Sequence, residues 1–108
     1  MTTLNSGLLD EAVRRIVERV HPSAIVLFGS AARDELGPHS DLDFLIIMPD
    51  GSECREIAKV LYRQLRGLDM AKDLVVVQES DVNRHRDNPY LVIHTALSEG
   101  KEIYRAGS

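Results

Sequence analysis

The run Asp41–Met48, DLDFLIIM, constrains the fold more than any other stretch. Past its first three residues it is apolar at every position. Both of its faces must therefore be covered, as in a central strand with other elements packed above and below. Amphipathic helical patterns lie on either side of it in the chain. Leu9, Ala12, Val13, Ile16, Val17 and Val20 recur at helical spacing and predict a helix from about Ser6 to Val20. Asp10 with Arg14 and Glu11 with Arg15 are i,i+4 pairs on its other side, worth about 0.3 kcal/mol each. His21-Pro22 ends it, because the residue before a proline avoids helical geometry.

The remaining elements follow in order. Ala24–Phe28 reads as a strand, Ser30 to about Glu35 as a short helix, and Leu36–Ser40 as a loop. After the Asp41–Met48 strand, Pro49-Asp50-Gly51 turns the chain. Ser52 is the expected N-cap of a helix from Glu53 to about Leu68, with Ile57, Val60, Leu61, Leu65 and Leu68 inward. Lys72–Gln78 is a third strand. Ser80 is expected to cap a helical turn through Asn83, and Asn88-Pro89 to start a helix that reaches about Ser98 and stops at Gly100. Glu102–Arg105 closes the chain as a short strand. The reading is an α/β chain with about four strands.

A chain of 108 residues suits one small domain, residues 1–108. Charged residues make up 28% and the net charge is -4, which argues against a dedicated nucleic-acid binder. No apolar run approaches the roughly 20 residues of a membrane span. The N-terminal MTTLNSGLLDEAV lacks the basic start and apolar stretch of a signal peptide. Cys54 is the single cysteine, so no intrachain disulfide can form, which fits a reducing cytoplasm.

The residues with chemistry cluster around the two strands that flank the loop. Gly29 and Ser30 sit where a strand gives way to a helical turn, a junction whose backbone N–H groups suit a phosphate. Gly29 allows a ligand close to the backbone. Asp41 and Asp43 are two apart at a strand start, so both side chains point to one face and can share a hard divalent cation. Asp73 heads the next apolar strand. If the two strands are neighbours, Asp73 stands within about 5 Å laterally, able to complete a second metal site near an attacking hydroxyl or to serve as a general base. Strand-end acids that are simply solvated, and a serine that only caps a helix, are the ordinary alternatives. Arg33 can reach the same phosphates or pair with an acid, and Ser40 can steady Asp41 or close a turn. No Walker P-loop occurs.

Other features carry less. Arg55, Lys59, Arg63 and Arg66 form one stripe of the second long helix, opposite its apolar face, and read as a solvated face before a docking surface. His21, His39, His85 and His94 lack metal-ligand spacing. Nothing in the sequence supplies a base for Cys54. Tyr62, Tyr90 and Tyr104 read as packing residues.

Gly29-Ser30, ten residues, then Asp41-x-Asp43 resembles the signature of the DNA-polymerase-β-type nucleotidyltransferases. The first helix, Arg33, Ser40 and the ending PYLVIHTALSEGKEIYR are similar to the minimal nucleotidyltransferases, often the antitoxin half of HEPN–MNT toxin–antitoxin modules. Asp73 in KDLVVV matches the place of that family's third acid. The resemblance implies a polymerase-β-like α/β fold with a mixed sheet. It implies Mg²⁺-dependent transfer of a nucleoside monophosphate from a triphosphate to a hydroxyl, with pyrophosphate released. For HEPN-linked members it implies AMP transfer from ATP to a tyrosine of the toxin. The sequence departs from the family at Asp34, where glycine is frequent, and at Ala31, where a larger residue is frequent. Asp34 adds negative charge beside the phosphate turn.

Three functions compete. The first is a nucleotidyltransferase acting on a partner protein. It is favoured because three clustered carboxylates repel without a metal, and because the core elements leave little chain to wall an acceptor pocket. The second is an antitoxin that blocks its toxin by contact with the nucleotide site idle. The third, a small-molecule modifier, needs an acceptor pocket that so short a chain does not offer.

Overall fold

The computed structural model describes residues 6–29, 42–67, 72–88 and 91–107. Within them the order is α1 (Ser6–Val20), β1 (Ala24–Phe28), β2 (Leu42–Met48), α2 (Cys54–Gln64), β3 (Lys72–Gln78), α3 (Glu79–His85), α4 (Val92–Glu99) and β4 (Lys101–Arg105). The four strands form one sheet in the order β3-β2-β1-β4. β1 runs antiparallel to β2 and β4, whereas β2 and β3 are parallel. The sheet is mixed, as expected. The parallel pair needs a crossover, which α2 supplies, so β2 and β3 both begin at the same end of the sheet.

The apolar β2 is an inner strand, with Phe44 to Met48 all buried. Its side chains alternate between two half-cores. Leu42, Phe44, Ile46 and Met48 pack with Ala12 and Ile16 of α1 and Leu61 of α2. Leu45 and Ile47 pack with Val82 of α3 and Ile93 and Ala96 of α4. Helices thus cover both faces, which is why β2 carries no polar face. Each large side chain buried here contributes about 1.5–3 kcal/mol.

The other edge strand, β4, is bulged. Its register against β1 slips between Ile25 and Val26, from Tyr104 to Glu102. A bulge adds one unpaired residue to a strand, and Ile103 and Tyr104, though adjacent, both pack on the α1 side of the sheet.

Several helix boundaries differ from the sequence reading, each for a local reason. α2 begins at Cys54 with Glu53 at its N-cap, and Ser52 is not the cap: its hydroxyl donates to the Pro49 carbonyl at 2.7 Å, inside the preceding turn. α2 also ends at Gln64, before Leu68, which lies outside the described residues. α3 starts at Glu79 rather than after Ser80. The Asp81 carboxylate accepts the Gln78 N–H at 3.1 Å, and Asp50 accepts the Ser80 N–H at 2.8 Å, so a distant acid caps the first turn. α4 starts at Val92, not Asn88, because Asn88 and Leu91 close turns on His85 and Asn88, and Leu91 is extended at φ -112°, ψ 148°. Its end at Gly100 is as expected: the Gly100 N–H reaches the Ala96 carbonyl. α1 stops where His21 turns left-handed, at φ 52°. The expected short helix from Ser30 to Glu35 and the Leu36–Ser40 loop lie outside the described residues. Among the described residues no helix is long and apolar enough to cross a membrane.

Candidate active site at one end of the sheet

β1 finishes where β2 and β3 begin, and this junction gathers the described candidate residues. Phe28 is paired with Asp43 across the antiparallel β1–β2 ladder. Asp43 is paired in turn with Asp73 across the parallel β2–β3 ladder. Residues in register on neighbouring strands share a face of the pleat, about 4.8 Å apart. Their alternation partners settle which face. Leu42, Phe44 and Leu74 point into the α1–α2 half-core, so Asp43 and Asp73 point to the opposite side. The second and third strands are neighbours, the condition that the sequence reading set, and this register leaves Asp43 and Asp73 on one side of the sheet. Asp43 is half-buried and Asp73 exposed.

Gly29 follows β1 directly, with φ 76°, a left-handed conformation that favours glycine. A Cβ on Gly29 would stand 2.2 Å from the Asp43 Oδ2 atom. The glycine therefore serves a close approach, and what approaches is the Asp43 carboxylate. Glycine at 29 lets that carboxylate fold back over the end of β1.

Asp73 has a neighbour that the sequence reading missed. The Tyr62 hydroxyl donates to Asp73 Oδ1 at 3.2 Å and accepts the Leu74 N–H at 3.0 Å. Tyr62 comes from α2 around the open edge of β3, where Leu74 would otherwise present an unpaired donor. It is 42% exposed, so it is not the packing residue expected. Its place on the same stripe as Arg55, Lys59, Arg63 and Arg66 was the available signal. Tyr104 is partly buried against the α1-side core, as expected, and Tyr90 lies outside the described residues.

Ser30, Arg33, Ser40 and Asp41 also lie outside the described residues, as do Ala31 and Asp34. The structure thus brings together Gly29, Asp43 and Asp73. Among the described residues no group of three or more acids, histidines or cysteines is placed to hold a metal. Asp43 and Asp73 are nevertheless hard oxygen donors side by side, the chemistry that suits a divalent cation. Two carboxylates one strand spacing apart repel unless a cation lies between them. Cys54 stands apart from this end. Burial, with Asp81 and Glu53 nearby, pushes its thiol up, away from a reactive thiolate.

A family profile described as a nucleotidyltransferase domain matches residues 9–104. A bifunctional uridylyltransferase/uridylyl-removing enzyme of Burkholderia thailandensis is 29% identical over 106 residues. That match covers 91% of this chain but only 12% of the enzyme. Among solved structures, one assigned as a nucleotidyltransferase from Sulfolobus solfataricus superposes with a TM-score of 0.63 at 18% identity, covering 93% of this chain and 79% of the other. A toxin–antitoxin structure with AMP-PNP superposes with a TM-score of 0.58 at 21% identity, covering 96% and 76%. At these identities the likeness to both structures is one of fold.

Proposed function

Since this chain belongs to the nucleotidyltransferase domain family, we propose that it transfers AMP from ATP to a hydroxyl of a partner protein, the tyrosine of a HEPN-type toxin, and so acts as an antitoxin. The observation that carries the reading is the register that seats Asp73 beside Asp43, next to Gly29. The toxin–antitoxin neighbour with AMP-PNP supports the partner and the nucleotide.

In this reading Asp41, Asp43 and Asp73 hold Mg²⁺. The metal, when bound, screens the charge of the triphosphate and polarises the oxygens that attack and leave. Gly29 and Ser30 offer backbone N–H groups to the phosphates, and Arg33 pairs with their negative charge. Ser40 steadies Asp41. Asp73, nearest the open edge of the sheet, faces the incoming acceptor and takes up its proton as the phenolic oxygen attacks. Pyrophosphate leaves, and a phosphodiester remains on the partner.

The test incubates the chain with Mg²⁺, the protein encoded beside it as the candidate toxin, and each labelled triphosphate in turn. Labelling of the toxin with AMP is expected, falling on the order of a hundredfold or more in Asp43→Asn and Asp73→Asn. Preference for UTP would align the chain with the uridylyltransferase relative instead. Toxin inhibition that survives both substitutions unchanged would show that silencing is by contact alone.

A further inference from the structure

We propose that the outer face of α2 is the docking surface for an acidic segment of the protein that presents the acceptor hydroxyl. The inference rests on the reading of the chain as a transferase with a protein acceptor.

Successive turns of α2 place Arg55, Lys59, Tyr62 and Arg63 within one arc of about 100°, and Arg66 follows just past the helix end. All five are exposed. Several described cations elsewhere are matched: Arg14 and Arg15 meet Glu11, Arg84 meets Asp81, and Arg105 meets Glu102. On the α2 face only Lys59 meets an acid, Glu56, at 3.5 Å. Arg55, Arg63 and Arg66 have no ion pair among the described residues. Among the described residues of a protein of net charge -4, three unmatched arginines thus gather on one face. An acidic partner is repelled by the rest of the surface and drawn to this face, so charge fixes its orientation.

The geometry suits a protein segment. Arg55, Lys59 and Arg63 recur every four residues, a step of about 6 Å, which matches acids spaced i,i+4 on a partner helix. Tyr62 and the arginines are the residue types that anchor protein interfaces. A single-stranded nucleic acid fits less well, because its sites are grooves lined by several aromatics, and this face is convex with one. The face also leads to the site. α2 runs back toward the sheet end where β3 begins, and the Tyr62 hydroxyl touches Asp73. A partner lying along α2 therefore arrives beside the carboxylate pair.

The test uses the full chain and a random glutamate–tyrosine copolymer, which is acidic and carries phenolic hydroxyls. Binding is followed by fluorescence anisotropy without nucleotide across a salt series. AMP transfer to the copolymer is followed separately with Mg²⁺ and ATP. The wild type is expected to bind the copolymer more weakly as salt rises, and to bind a lysine–tyrosine copolymer poorly. Arg55→Glu with Arg63→Glu is expected to weaken binding about tenfold and to raise KM for the copolymer with kcat unchanged. Arg55→Gln with Arg63→Gln should fall between. Wild-type binding that is absent, or unchanged in the charge-reversed variant, overturns the proposal. So does a variant effect seen only with a single-stranded oligonucleotide. The two readings separate cleanly. Transfer by the wild type that the reversal leaves untouched removes the docking surface alone. Charge-dependent binding with no transfer to any acceptor removes the transferase reading and leaves a binding face.

Discussion

At the scale of single residues, the tightest constraint is the contact between Gly29 and Asp43. Alanine at 29 would have to hold a left-handed φ and place its Cβ on the Asp43 carboxylate. Gly29→Ala is expected to cost about 1–3 kcal/mol in urea unfolding and to remove most nucleotide transfer by displacing Asp43. Tyr62 makes a different prediction. Tyr62→Phe keeps the ring on the β3 edge but drops the bonds to Asp73 Oδ1 and the Leu74 N–H. Because the site is exposed and water can replace the hydroxyl, stability should fall by only about 1 kcal/mol. On the proposed metal role of Asp73, Mg²⁺ titration followed by nucleotide binding should show affinity weaker by about tenfold, since Asp73 is then held by one fewer partner.

At the scale of elements, α1 and α2 are joined by a polar clasp as well as by apolar packing. Glu11 accepts from Arg15 at 2.7 Å and also pairs with Arg14. Arg15 in turn donates to the Gln64 carbonyl at 3.3 Å, where α2 leaves a carbonyl without a helical partner. The hydrogen bonds from Arg14 and Arg15 hold the Glu11 carboxyl far below its ordinary 4.5, at about 2. A depressed carboxylate stabilises the fold above its unfolded value and loses that contribution as pH falls through the folded one. The difference in thermal midpoint between wild type and Glu11→Gln should therefore be present above pH 4.5 and vanish near pH 2. It should be small, because the pair is solvent-exposed. The elements also show what periodicity can and cannot say. α1, β1 and β3 have the bounds that their apolar spacing predicts. The starts of α3 and α4 do not, because Asp50 caps Ser80 from thirty residues away and Leu91 is held extended by a turn.

At the scale of the whole molecule, the parallel pairing of β2 with β3 decides whether the candidate acids meet. A slip of one residue would send Asp73 to the α1–α2 side, opposite Asp43. Lengthening the connection after α2 by several glycines should leave the register intact, because Leu74 and Val76 are committed to the α1–α2 core. Transfer activity should survive such an insertion within about threefold, since loop closure grows only slowly with length. Activity lost while the fold persists would mean that the connection itself, rather than the core, sets the register.

The amino-acid order alone determined the alternation of helix and strand, the doubly covered β2 and the carboxylates at its start. These depend on neighbours a few residues away, through side-chain periodicity and turn chemistry. It also carried the Gly29-Ser30 to Asp41-x-Asp43 spacing by which the chain resembles the family. Only the tertiary structure decided that Asp73 sits level with Asp43, that Asp43 rests against Gly29, and that Tyr62 reaches Asp73. Each of these joins residues far apart in the chain. The packing of helices on both faces favours them, because this register turns Leu74 and Val76 toward the core with Phe44 and Ile46 and leaves both aspartates outside it, and a one-residue slip would reverse that.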